Sequence, residues 1–134
     1  MDAKGTREIL FRGKRPENGE WVYGYYVHNG PVNSEMAYII PYYASAFYGF
    51  QVYRSTVGQY TGLTDKKGKK IFEGDIMAFT AYGFDYVGTV EFADGSFSVM
   101  CEHASPFLDQ AVSKHGAYII GNMHDNPELL DSAE

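Results

Sequence analysis

The sequence predicts a mainly β protein with a minor α component, and three observations carry that expectation. Aromatic residues make up 16% of the 134 positions, with 12 Tyr and 9 Phe, and aromatic side chains suit pleated strand surfaces. Short runs of period-two character recur along the chain, separated by Gly, Asn, Asp and Pro. There is no strand–helix–strand rhythm, internal repeat or low-complexity tract. Short strands punctuated this often favour a partly closed small barrel or a strongly bent sheet.

After a ragged start at 1–6, residues 8–14 (EILFRGK) read as a strand, and Pro16-Glu17-Asn18-Gly19 as the turn that follows. Residues 21–27 (WVYGYYV) form the returning strand. Trp21, Tyr23, Tyr25 and Val27 share one of its faces. Residues 28–31 break the pattern, and Met36 to Pro41 make another short strand, with the proline at its end or edge. Residues 42–56 show no clean period, and 43–48 fit either a helical turn or a loop ending at Gly49.

Thr56 to Leu63 reads as a strand, followed by a polar loop at Asp65-Lys66-Lys67-Gly68. Residues 71–79 read as one strand with a bulge or close backbone approach at Gly74. Residues 86–92 and 96–102 pair as a hairpin across Ala93-Asp94-Gly95. Ala104 to Lys114 is a helix candidate, with Phe107, Leu108, Ala111 and Val112 as its apolar stripe. Residues 117–122 are a strand. Asn126-Pro127-Glu128 starts a short C-terminal helix, with Asn126 as its N-cap.

The length suits one domain, or one domain with a small appended lobe, with a core large enough to need no staple. The lone Cys101 excludes an internal disulfide and points to a reducing compartment. The N-terminus lacks a signal-peptide core, and no apolar run is long enough to span a membrane. A cytoplasmic protein is expected. The net charge of −6 argues against generic coating of nucleic acid. That average hides an asymmetry. Residues 1–70 carry ten Lys/Arg against six Asp/Glu, whereas 71–134 carry one against eleven. Such halves either pair with each other or are ordinary solvated faces.

Four blocks make the chain recognisable: EILFRGKRPENGEWVYGYYV at 8–27, TVGQYTGLTDKKGKKIFEGDIM at 56–77, GTVEFADGSFSV at 88–99 and IIGNMHDNPELL at 119–130. The chain resembles the YopX family of phage and prophage proteins. The resemblance implies one YopX-like domain over 1–134. Within it, an N-terminal α+β portion (about 1–55) precedes an SH3-like, partly closed barrel (about 56–134) with a short C-terminal helix. It further implies origin in a phage or prophage, action in the cytoplasm of the bacterial host, and self-assembly. It carries no catalytic motif.

The residues themselves point the same way. Cys101 and His103 would share a strand face about 6.5 Å apart at the backbone, too far for a ready thiol–imidazole pair. His28, His103, His115 and His124 lack metal-ligand spacing. Glu73 and Asp75 flank a glycine, a setting that favours structural bonds to backbone amides over acid–base chemistry. No phosphate-loop or dinucleotide fingerprint occurs, and no cofactor is expected.

Two features remain as binding candidates. Arg12, Lys14 and Arg15 cluster at the first hairpin near Trp21 and Tyr23, and Lys66, Lys67, Lys69 and Lys70 crowd one turn. Brought together, they would stack bases and hold phosphates; apart, they are solvated turns. The stripe of Trp21, Tyr23 and Tyr25 is either core or subunit interface. The expected function is therefore non-enzymatic: a phage or prophage accessory protein that self-associates as a homo-oligomer and binds a host or phage protein. The alternative is a nucleic-acid-binding module that uses the basic turns.

Overall fold

A computed structural model of the chain describes residues 7–28, 31, 34–43 and 49–131. The ragged start at 1–6, the turn residues 29–30 and most of the uncertain stretch at 43–48 lie outside the described residues. Among the described residues the strands form two sheets and no closed barrel. The chain divides into two units, Met1–Gly62 and Leu63–Glu134.

The first unit holds β1 (Phe11–Lys14), β2 (Trp21–Val27), β3 (Met36–Pro41) and β4 (Phe50–Thr64), which runs two residues past the unit's end. β1 is shorter than the expected 8–14 strand. The β1–β2 hairpin sets Lys14 opposite Trp21 and Arg12 opposite Tyr23. Its loop closes where Gly19, at φ 74°, donates its N–H to the Arg15 carbonyl at 2.9 Å. The Asn18 side chain accepts the Glu20 N–H at 3.0 Å.

Six residues more of β4 are ordered as strand than the expected start at Thr56 allowed, with no period visible in their sequence. Pairing supplies what pattern does not. Phe50 to Tyr53 lie antiparallel to β3, and Tyr53 to Gln59 lie along β1. A bulge separates Tyr53 from Gly58 on the β1 side. There the Thr56 hydroxyl accepts the Lys14 N–H at 2.9 Å and donates to the Tyr53 carbonyl at 2.6 Å, replacing a lost ladder bond.

Ala37, Ile39 and Val52 form the core of this unit, with Phe11, Val22, Tyr26 and Val57 packed on them. The even residues of β2 therefore face inward. The odd stripe of Trp21, Tyr23 and Tyr25 lies outside this core cluster, with Trp21 half-buried and the two tyrosines exposed.

The second unit contains β5 (Lys70–Phe72), β6 (Asp75–Ala81), β7 (Phe84–Ala93), β8 (Ser96–Met100), α1 (Leu108–His115), β9 (Tyr118–Asn122) and α2 (Glu128–Asp131). Its antiparallel sheet runs β8-β7-β6-β9. The expected single strand at 71–79 is two strands joined by a turn at Glu73–Gly74, with Gly74 at φ 91°. The turn is held by Asp75, whose buried carboxylate accepts the Phe72 N–H at 2.7 Å.

The Asp94–Gly95 hairpin is present as expected, with both residues at positive φ. A second hairpin of the same kind turns at Tyr82–Gly83. α1 begins at Leu108, four residues later than Ala104. Residues 104–107 are occupied elsewhere, because the Pro106 carbonyl takes the Val99 N–H at 3.0 Å and Phe107 bridges to Ser98. Leu108 and Ala111 are buried, and Gly116 at φ 64° ends the helix.

α2 starts at the expected place, and the Asn126 side chain accepts the Asn122 N–H at 3.1 Å. Ile71, Met77, Phe79, Val90, Val99 and Leu108 lead the core of this unit. No helix among the described residues is long and apolar enough to cross a membrane.

Candidate functional site

The β1–β2 register places a cationic strand beside an aromatic one. Arg12 is only 6% exposed, and its guanidinium lies 4.7 Å from the centre of the Trp21 ring. The Lys14 ammonium is 6.0 Å from the same ring. Arg15 lies 4.5 Å over Phe50 and bridges to Glu17 at 3.1 Å. A hollow of about 300 Å³ opens here, lined by Arg15, Glu20, Trp21, Tyr23, Tyr42 and Phe50 among others. The structure thus unites Arg12, Lys14, Arg15, Trp21 and Tyr23 at one site. The cations already cover aromatic faces, and Glu17 pairs with Arg15. Such a site suits mixed polar and aromatic contacts better than a run of phosphates.

Beyond the hollow, the outer face of the sheet continues as an aromatic stripe. Tyr23 is 39% exposed and Tyr25 is 52% exposed, with Val27 also open. Tyr38 stands opposite Val27 and Tyr53 opposite Met36, both exposed on the same face. Sequence reasoning found β2 and its periodicity but not which face looked outward, since both faces carry tyrosine. Tyr38, Tyr42 and Phe50 were missed because only strand pairing brings them to this site.

The second basic group belongs to the other unit. Asp65, expected as part of a polar loop, is buried. One of its carboxylate oxygens accepts the N–H groups of Lys67 and Lys69, each at 2.9 Å, and the other accepts that of Ile119 at 3.0 Å. Burial pushes this carboxyl's pKa up, but the three amides and the Lys69 charge outweigh it and hold the pKa below the usual value. The turn is thereby a rigid platform. Lys66 and Lys67 lie 4.7 and 4.8 Å over the Tyr118 ring, while Lys69 and Lys70 are exposed.

The unit boundary also redistributes the charge. Residues 1–62 hold six Lys/Arg against five Asp/Glu, and 63–134 hold five against twelve, giving +1 and −7. The lysine turn therefore belongs to the acidic unit, and the basic-front, acidic-back division does not follow the fold.

Cys101 follows the end of β8, so the shared strand face expected for Cys101 and His103 does not form. Burial raises the thiol pKa to about 11, and the His103 side chain is 84% exposed, beside Glu102 at 3.8 Å. A protonated thiol without a base is a poor nucleophile. Asp75 is committed to the turn amide of Phe72. No cluster of three metal-ligating side chains occurs among the described residues.

The family model described as YopX protein matches residues 10–131. The chain is also similar to the crystal structure of protein EF1440 from Enterococcus faecalis, with 24% identity and a TM-score of 0.61. That alignment covers 93% of this chain and 99% of the other, and shows a shared fold. No curated protein matches the chain. With nearly its whole length matched, the chain belongs to the YopX family.

Proposed function

We propose that this YopX-family chain is a non-enzymatic phage or prophage accessory protein that self-associates and binds a protein partner in the cytoplasm of the bacterial host. The observation that carries the reading is the outer face of the first unit, where Tyr23, Tyr25, Val27, Tyr38 and Tyr53 are exposed together. Tyrosine is enriched where one surface must leave water to meet another, because the ring buries apolar area and the hydroxyl keeps a polar contact. A contact of this kind buries on the order of 1,200 Å² or more when stable. The second unit, an open sheet with a helix before its last strand, serves in this reading as an SH3-like platform.

Molecular mass by light scattering at low and high salt tests the reading. A salt-resistant oligomer that Tyr25→Ser converts to monomer is the expected result. A wild-type monomer in both conditions refutes self-association.

The cluster of Arg12, Lys14 and Arg15 beside Trp21 favours a second reading, binding of single-stranded nucleic acid. Absence of a gel shift at about 50 mM salt, where phosphate contacts are strongest, eliminates it.

A further inference from the structure

The second unit has a groove that neither basic cluster touches. It measures about 540 Å³ and is lined by Phe84, Tyr86, Val87, Met100 and Leu130 among others. Thr89 and Met100 are register partners between β7 and β8, so the lining includes a pair of adjacent strands with α2 alongside. Asp85 and Glu102 line it as well, and no lysine or arginine does. His103 is the one other ionisable side chain there besides the tyrosine and the protonated thiol.

Two observations indicate that the groove is a place for a ligand. Phe84 follows the positive-φ hairpin turn at Tyr82–Gly83 and is 66% exposed. A phenylalanine held that far out of the core gains nothing within this unit. The charge around it is one-sided, in a unit with formal charge −7. An apolar lining with carboxylates and no lysine or arginine is complementary to a ligand with apolar side chains and positive charge.

We propose that this groove docks an extended segment of a partner protein that alternates aliphatic side chains with lysine or arginine. The aliphatic groups cover Val87, Met100 and Phe84, and the cations meet Asp85 and Glu102. The inference rests on the reading of the chain as a protein-binding module and supplies the partner's chemistry. It places that contact on the second unit, apart from the tyrosine face assigned to self-association.

The test is fluorescence anisotropy with two dye-labelled synthetic peptides, one alternating Leu and Lys and the other alternating Leu and Glu. The full chain is expected to bind the Leu/Lys peptide and not the Leu/Glu one. Glu102→Lys is expected to weaken the Leu/Lys peptide about tenfold, and Phe84→Ser severalfold. Both positions are exposed, so the fold is retained; circular dichroism checks that. No binding by wild type, or binding that both substitutions leave unchanged, overturns the proposal. Light scattering on the same variants separates the two surfaces. Tyr25→Ser should lose the oligomer and keep the peptide, whereas Phe84→Ser should lose the peptide and keep the oligomer. A monomeric wild type that still binds the peptide refutes self-association alone.

Discussion

Asp65 accepts the backbone N–H of Ile119 at 3.0 Å, tying the lysine turn to the last strand across 54 residues of chain. The same carboxylate accepts two amides of its own turn, so one buried charge holds both ends of the second unit. Asp65→Ala strands three donors and should cost about 3 kcal/mol, read as a lower urea midpoint. The folded carboxyl has a lowered pKa, so its contribution is present above the unfolded value near 4. It fades as pH falls through the lower folded value. The wild type should lose stability on acidification in that window, and Asp65→Ala should lose less.

Gly24 lies where β2 meets β3, and a Cβ there would run into the Ile40 carbonyl oxygen. Because the obstacle is backbone in a paired strand, relief requires the strands to part. Gly24→Ala should destabilise the first unit by about 1–3 kcal/mol. A thermal melt unchanged from wild type would show that the strands pass less closely than described.

Tyr25 and Tyr26 are neighbours on opposite faces. Tyr26 packs 5.5 Å from Phe11 against the core, and Tyr25 is open to solvent. Tyr26→Ala should cost about 3 kcal/mol, whereas Tyr25→Ser in the dissociated protein should stay within about 0.5 kcal/mol of wild type. Reversal of that order in denaturant titrations would mean that the sheet faces the other way.

Cys101 should alkylate slowly at neutral pH, because burial keeps its thiol protonated up to about pH 11. The iodoacetamide rate should climb steadily through the alkaline range. A plateau near neutral pH would contradict the burial.

Thr56 repairs the bulge in β4 with one hydroxyl that both accepts and donates. Thr56→Val keeps the shape and removes both bonds, at an expected cost of about 1–3 kcal/mol in equilibrium unfolding. Thr56→Ser should recover most of it.

Much of this fold was legible from local chemistry. The strand at 21–27, the Asn18–Gly19 and Asp94–Gly95 turns and the start of α2 all announce themselves through residues whose φ preferences or alternation act within a few positions. So was the gathering of Arg12, Lys14 and Arg15 with Trp21 and Tyr23, because hairpin pairing follows from the turn. The family, too, is written in the sequence blocks that match along its length.

Tertiary structure alone decided the rest. Period two names two faces but not the buried one, and with tyrosine on both sides of β2 only the packing of Val22 and Tyr26 on Ile39 and Val52 settles it. Asp65 reads as a loop residue until the Ile119 amide, far along the chain, comes to meet it. Residues 104–107 read as helix until the amides of Val99 and Cys101 take the Pro106 and Ala104 carbonyls. In the first two cases the deciding partner is remote in sequence, and in all three burial and hydrogen bonding act between neighbours in space.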